Sequence, residues 1–171
     1  DVPGGDTEAP DLMVAAAPAP VFGPDGHTLA MCAAGPLRVT LLDTATGRTS
    51  DTGLSCESGW MFWLGPAQIA APNRDLTGLT VWNIDAATEG QPIDGATVAA
   101  ASSRGVLALG QLPYGGPTIT LRHDGIDRAI DLPAPLADVP VWSPDGSRLA
   151  VVVRLEGADS DLLLLSPETG P

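Results

Sequence analysis

The sequence VWSPDGSRLAV at residues 141–151 matches VFGPDGHTLAM at residues 21–31, without a gap and at a constant offset of 120 residues. Each stretch joins two apolar residues, a Pro-Asp-Gly turn and an apolar strand. Proline fixes φ at the first corner of such a turn, and glycine supplies a positive φ. An apolar residue followed by alanine recurs at residues 29, 69, 107 and 149, with spacings of 40, 38 and 42 residues. The chain therefore contains four repeats of about 40 residues.

A second marker keeps the same period. In each repeat, an apolar strand runs into a polar turn that ends in glycine, at residues 39–47, 79–90, 119–125 and 162–170. Two markers that recur four times in one register indicate a true internal repeat rather than a chance similarity. The third copy has diverged most from the others.

Each repeat is predicted to form four short strands. In the fourth repeat these are residues 139–143, 149–154 and 161–165, followed by a turn that leads to a fourth strand. The Val- and Leu-rich runs are short, which favours strands buried on both faces. No stretch of twelve residues keeps a helical period without proline or glycine. The predicted fold class is all-β, and four-stranded units of this length are typical of β-propeller blades.

The fourth repeat resembles the TolB-type β-propeller repeat, a relative of the WD repeat. The resemblance rests on the aromatic-Ser-Pro-Asp-Gly stretch at residues 142–146, the small apolar strand after it, and the strand at 162–165 that closes on a Ser…Gly turn. The first repeat matches closely, and the second and third match in spacing. The resemblance implies a fold. Such repeats occur in periplasmic translocation factors, in peptidase propellers and in extracytoplasmic sensor regions of bacterial kinases.

The repeats predict one folded domain at residues 11–171, preceded by a flexible linker at residues 1–10 that is rich in proline and glycine. The four predicted blades cover residues 17–56, 57–96, 97–134, and 135–171 together with 11–16. Residues 11–16 would supply the outer strand of the last blade and so hide an exposed sheet edge. Three arrangements fit: a closed ring of four blades, a fragment of a larger propeller, or two chains paired as half-rings of an eight-bladed homodimer.

The net charge of −13 comes from 21 acidic residues and eight arginines, with no lysine. Such a surface would repel nucleic acid, because affinity for phosphates depends on clustered cations. The acidity is expected to serve solubility. No apolar run reaches the roughly 18 residues that a membrane span needs, so no membrane span is predicted in this chain.

Two cysteines, Cys32 and Cys56, lie 24 residues apart. Neither histidine stands at zinc-ligand spacing from them, so a zinc site is not predicted. Two main interpretations remain open: a pair of buried free thiols, or a disulfide, which would indicate an exported protein. A reactive thiol is the third.

The segment Gly59-Trp60-Met61-Phe62-Trp63-Leu64 is the strongest aromatic cluster. Phe62 aligns with Phe22 by repeat spacing, which favours packing between blades, whereas Trp60 begins the strand and is expected nearest the surface.

In a propeller, the loops on one face usually form the recognition surface. The candidate binding residues at or beside these loops are Trp60, Arg74, Asp75, Tyr114, Arg154 and Glu156.

No catalytic motif is present in the sequence. It contains no Gly-x-Ser-x-Gly elbow, and His27 and His123 fall at turn positions. The acidic clusters at residues 124–127 and 159–161 do not follow a calcium-loop pattern, so neither a metal nor a cofactor is predicted. Asp side chains that stabilise turns account for these clusters.

The sequence thus predicts a non-catalytic binding or sensor module that is extracytoplasmic and contacts a protein or peptide through one loop face. One alternative is the propeller part of an enzyme, either the substrate-gating domain of a peptidase or a lactonase or lyase propeller. Another is a structural, self-assembling propeller.

Overall fold

The structure, a computed structural model, describes residues 19–33, 37–57, 59–112 and 115–167. These residues form four antiparallel sheets and no α-helix, which confirms the all-β prediction. Consecutive stretches of the chain build consecutive sheets, and we call them blades 1 to 4. The strands of the first two are β1 (Val21–Phe22), β2 (Thr28–Ala33), β3 (Arg38–Asp43) and β4 (Thr49–Ser55) in blade 1, and β5 (Phe62–Gly65), β6 (Gln68–Pro72), β7 (Gly78–Asn83), β8 (Thr88–Glu89) and β9 (Ile93–Asp94) in blade 2.

Blades 3 and 4 repeat this meander. Blade 4 has three strands within the described residues, joined after the second by a short 3-10 turn at Glu156–Ala158. Residues 11–16, predicted to complete that blade, lie outside the described residues. The strands are β10 (Val98–Ala101), β11 (Leu107–Gly110), β12 (Thr118–His123) and β13 (Ile126–Asp131) in blade 3, and β14 (Val141–Trp142), β15 (Leu149–Arg154) and β16 (Ser160–Leu165) in blade 4.

The outer strand of blade 2 is divided into β8 and β9, which both pair with β7. Gly90 and Pro92 lie in the interruption. Proline has no N–H to donate to a strand ladder and within sheets is found at edges, strand starts and bulges, which agrees with a break in the outer strand at this point. The repeat spacing could not show this break, because it lies between the markers that define the period.

Buried and partly exposed residues alternate along the strands, and the buried residues show which face packs on the neighbouring blade. In β15, Leu149, Val151 and Val153 are fully buried, whereas Ala150 and Val152 between them are partly exposed. Side chains on a strand point alternately to opposite faces, and a shift by one residue would turn the apolar row to the other side. The register of the fourth blade is therefore fixed by packing against blade 3.

Two apolar clusters hold the blades together. The first lies between blades 1 and 2, where Ala30, Val39 and Leu41 pack against Ile69 and Ala71. The second runs through blades 2, 3 and 4 and contains Leu79, Ile119 and Leu149, which are at most 1% exposed. Burying one such side chain stabilises the fold by about 1.5–3 kcal/mol.

Tryptophans on the innermost strands connect neighbouring blades. The indole Nε1 of Trp63 donates to the carbonyl of Val21 at 3.2 Å, and that of Trp142 donates to the carbonyl of Ala100 at 2.9 Å. Both bonds run from one blade to the inner strand of the blade before it.

The strand register corrects one alignment. Phe22 pairs with Leu29, Trp63 with Ile69, and Trp142 with Leu149. The counterpart of Phe22 is therefore Trp63, and the expected match with Phe62 is wrong. The physical reason is an irregularity between Trp63 and Gly65, which makes the turn of blade 2 one residue shorter than those of blades 1 and 4.

A disulfide joins Cys32 on β2 to Cys56, which follows the outer strand β4, with a Cα–Cα separation of 5.9 Å. The backbone N–H of Cys56 also donates to the carbonyl of Leu37 at 2.8 Å. The bridge therefore fastens the last residue of blade 1 back onto the middle of the same sheet. Of the two main interpretations of the cysteines, the disulfide is the one found in the structure.

Candidate functional site

The innermost strands of all four blades line one groove. β1, β5, β10 and β14 contribute to its wall, and its volume is about 1130 Å³. These strands pair on one side only within the described part of the chain, so each presents a backbone edge towards the groove. Most of the lining is apolar: it includes Val21, Phe22, Trp60, Met61, Phe62, Trp63, Leu64, Ala99, Ala100, Val141 and Trp142.

Trp60 lies on the groove wall just before β5, at the end of the blade where the predicted loop face is. Its indole is half-buried and packs against the larger apolar cluster, and the rest is open to the groove. An indole at such a boundary combines a large apolar surface with a polar N–H, which suits recognition of a partner. Among the predicted residues, Trp60 is the one that the structure places in the groove.

Arg74 and Asp75 lie exposed in the turn between β6 and β7. Asn73 shapes this turn, because its Oδ1 accepts from the N–H of Thr77 at 2.9 Å and its Nδ2 donates to the Thr77 hydroxyl. In an antiparallel sheet, the start of β5 and the turn after β6 fall at the same end. Arg74 and Asp75 therefore share the end of blade 2 that carries Trp60.

Arg154 ends β15, and Glu156 begins the 3-10 turn that follows it; both side chains are exposed. By the same topology they lie at the corresponding end of blade 4. The structure thus places these candidates at the same end of two blades, and none of them lines the groove. Tyr114 lies outside the described residues.

Thr97 is a positioning residue that sequence reasoning missed. Its side chain is fully buried, its hydroxyl donates to the carbonyl of Leu112 at 2.8 Å, and the same oxygen accepts from the N–H of Leu112 at 2.7 Å. It therefore fixes the backbone at Leu112, after the end of β11. A threonine at the start of a strand is too common to signal such a role.

Polar contacts join blades 3 and 4 at the opposite end of the groove. The Ser103 hydroxyl donates to the carbonyl of Pro144 at 3.2 Å, and Arg104 Nε donates to the carbonyl of Asp145 at 2.9 Å. In addition, Arg128 donates to the carbonyl of Pro167 at 2.9 Å. Together with the Trp142 bond, these contacts fix the angle between the two blades, and hence the shape of the groove.

The Pro-Asp-Gly turns hold their aspartates ionised. Hydrogen bonds from the Thr28 N–H, the Thr28 hydroxyl and the His27 N–H lower the pKa of Asp25 from 3.8 to about 2. The pKa of Asp145 is likewise lowered, first by the Ser143 hydroxyl and then by the N–H and hydroxyl of Ser147. These carboxylates accept several bonds within their own turns, so their role is structural.

We expect Asp25→Asn to flatten the dependence of stability on pH in acid. Because the pKa of Asp25 is lower in the folded chain, its contribution is complete above about pH 4 and is lost as the pH falls towards 2. Urea unfolding between pH 5 and 2 measures this change. The matched control is Asp85→Asn, on an exposed turn of blade 2; equal acid sensitivity in both variants would contradict the assignment.

Within the described residues, no group of three or more His, Cys, Asp or Glu side chains is placed to hold a metal ion. The Nε2 of His123 lies 3.8 Å from a carboxylate oxygen of Asp124. The same part of the chain contains no helix long and apolar enough to cross a membrane.

The chain was compared with known families, curated proteins and solved structures. No family model matches the chain, and no curated protein matches it. The structure is similar to Kuenenia stuttgartiensis hydrazine synthase, with a TM-score of 0.68 and 18% identity over 91% of this chain and 48% of that one. It is also similar to TolB from Acinetobacter baumannii, with a TM-score of 0.69 and 16% identity over 90% of this chain and 41% of that one.

A third similar structure is the β-propeller domain of Cps50 (Swd1) from Myceliophteria thermophila, with a TM-score of 0.61 and 11% identity over 90% of this chain and 53% of that one. This chain has the β-propeller fold. The prediction of a TolB- or WD-like propeller is confirmed, with four blades of three to five strands in the described residues. The propeller spans about half the length, or less, of these three structures.

Proposed function

We propose that this propeller is a non-catalytic binding module that holds a protein or peptide segment in the groove and at the loop face around its mouth. The observation that carries the proposal is the apolar groove with the half-buried indole of Trp60 in its wall. Partially exposed aromatic side chains in pockets dominate the energy of many protein interfaces.

The backbone of the inner strands suits an extended ligand. β5 and β10 pair with their own blades on one side, and their other edges face the groove. An unpaired strand edge offers N–H and C=O groups with which an extended peptide forms main-chain hydrogen bonds. Side chains of such a peptide would alternate, with one set packed on Trp60.

Charged residues at one end of the blades would supply a polar rim. Arg74, Asp75, Arg154 and Glu156 carry both signs and lie at the end of their blades that also carries Trp60, and a polar rim beside an apolar centre is the usual composition of a recognition surface. Tyr114 is proposed as a further binding residue. The net charge of −13 favours a basic partner, since the field of the whole chain would raise its rate of association.

An extracytoplasmic location is part of the proposal. The disulfide between Cys32 and Cys56 supports it, because such bonds persist in oxidising compartments and are rare in the cytosol.

The proposal predicts selective loss of binding in Trp60→Ala. The probe is a phage-displayed library of random dodecapeptides panned on the immobilised 171-residue chain, with enriched peptides resynthesised and titrated by fluorescence anisotropy. We expect Trp60→Ala to raise Kd at least about tenfold, and the peptides to be basic and extended.

Asp85→Ala is the matched control, since Asp85 is exposed on blade 2 at the end opposite to Trp60. Its Kd should equal that of the unmodified chain. Melting curves of both variants separate lost binding from lost folding, because part of the Trp60 indole packs on the core. A library that yields no enriched peptide, or peptides that bind Trp60→Ala as tightly as the control, would overturn the proposal.

A further inference from the structure

Within the described residues, the first and the last blade each present an exposed apolar face. The leading face, on blade 1, consists of Phe22, Leu29, Met31 and Leu42, and Phe22 is 60% exposed. The trailing face, on blade 4, consists of Val141, Ala150, Val152, Leu162 and Leu164. On that face, Val141, Leu162 and Leu164 are 62%, 60% and 59% exposed. Clustered exposure of large apolar side chains on a sheet face marks an interaction surface.

These faces repeat the positions that join blades inside the chain. Phe22 stands where Trp63 and Trp142 stand in their blades, and those indoles contact the preceding inner strand. Val141 stands where Val21 and Ala100 stand, whose carbonyls accept the indole bonds. The leading face therefore corresponds to the side of a blade that packs on the preceding blade. The trailing face corresponds to the side that packs on the following blade.

We infer that a second copy of this chain covers both faces. The leading face of each copy packs on the trailing face of the other, so that two rows of four blades close a ring of eight. A twofold arrangement uses each face once and leaves no apolar end uncovered. The inference extends the blade-to-blade packing already present in the chain and does not depend on the proposed peptide binding.

The similar structures are longer than the part that this chain matches: 48% of hydrazine synthase, 41% of TolB and 53% of the Cps50 propeller domain are covered. In the closed pair, the groove becomes a central channel lined by the inner strands of both copies.

Light scattering and sedimentation equilibrium over a range of concentrations test the inference. We expect a mass of twice 17.4 kDa. Phe22→Asp and Leu164→Asp place a charge on the leading and the trailing face, respectively, and each should raise the dimer dissociation constant at least about 100-fold, since a buried unpaired charge is costly. Both side chains are exposed in the single chain, so circular dichroism should be unchanged.

Ile126→Asp is the matched control, because Ile126 is 73% exposed at the start of β13 and belongs to neither face. Its mass should equal that of the unmodified chain. A monomer at every concentration overturns the inference; if Leu164→Asp also destabilises that monomer, a segment of the same chain covers the trailing face. A dimer that resists both face variants overturns it as well, and so does a series of masses rising above the dimer.

Discussion

Reduction of the Cys32–Cys56 disulfide will lower the free energy of unfolding by about 3–4 kcal/mol, the loss expected when a cross-link between residues 24 apart is released. The bond restricts the unfolded chain, and its removal also frees the last residue of blade 1 from the middle of its own sheet. For a domain of this size, the melting temperature should fall by about 10 °C. Calorimetry with and without dithiothreitol measures the difference.

The double variant Cys32→Ser/Cys56→Ser provides the control. It should melt near the temperature of the reduced chain and should not respond to reductant. If the unmodified chain melts at the same temperature with and without dithiothreitol, the bridge does not stabilise blade 1 and this prediction fails.

Thr97→Val will destabilise the chain by about 3 kcal/mol. Valine has nearly the shape of threonine, but it removes the hydroxyl that bonds both the N–H and the carbonyl of Leu112. Both backbone groups belong to a residue that is only 6% exposed, and each buried unsatisfied group costs about 1–3 kcal/mol.

Thr97→Ser distinguishes the contribution of the hydroxyl to stability from that of the methyl group, because serine keeps the first and lacks the second. It keeps both hydrogen bonds and should cost about 1 kcal/mol, close to the loss of one buried methyl. Urea unfolding of the two variants gives the comparison. Equal stability of Thr97→Val and Thr97→Ser would show that the hydroxyl contributes nothing and would contradict the role given to Thr97.

The sequence predicts the blades because the markers of the repeat are physical requirements of the blade. The Pro-Asp-Gly turn connects an inner strand to the next strand, and the aspartate satisfies the N–H groups that follow it. The third repeat lacks this motif, yet its turn is built in the same way: the Ser102 hydroxyl accepts from the N–H groups of Arg104 and Val106. By strand register Ser102 stands where Ser143 stands in blade 4, and the Ser143 hydroxyl likewise accepts from the N–H of Arg148. The third turn thus keeps the serine bond and lacks the aspartate, so the sequence marker of the turn is missing in that copy.

The groove could be predicted only in part. The aromatic segment before β5 indicates that Trp60 lies near a surface, and the loop order places Arg74 and Arg154 at one end of the blades. The groove wall also contains Ala99 and Ala100, whose side chains carry no chemical signal in the sequence. Its depth depends on how neighbouring blades are angled, and contacts such as Arg104 with Asp145 set that angle across 41 residues of sequence.

The exposure of Phe22 was likewise beyond prediction. A hydrophobic pair before the Pro-Asp-Gly turn predicts a buried inner strand, and Trp142 in the same position is indeed half-buried against blade 3. Phe22 differs because no described blade precedes it. Burial of a repeat position depends on its neighbour, which the repeat itself does not specify.

Hydrogen exchange of the 171-residue chain, with and without a selected peptide, tests the central claim that the inner-strand groove is the binding site. The account predicts slower exchange in β5 and β10 and at Trp60, because a peptide in the groove covers their free edges. Slower exchange confined to the outer strands β4 and β13, with β5 and β10 unchanged, would contradict it.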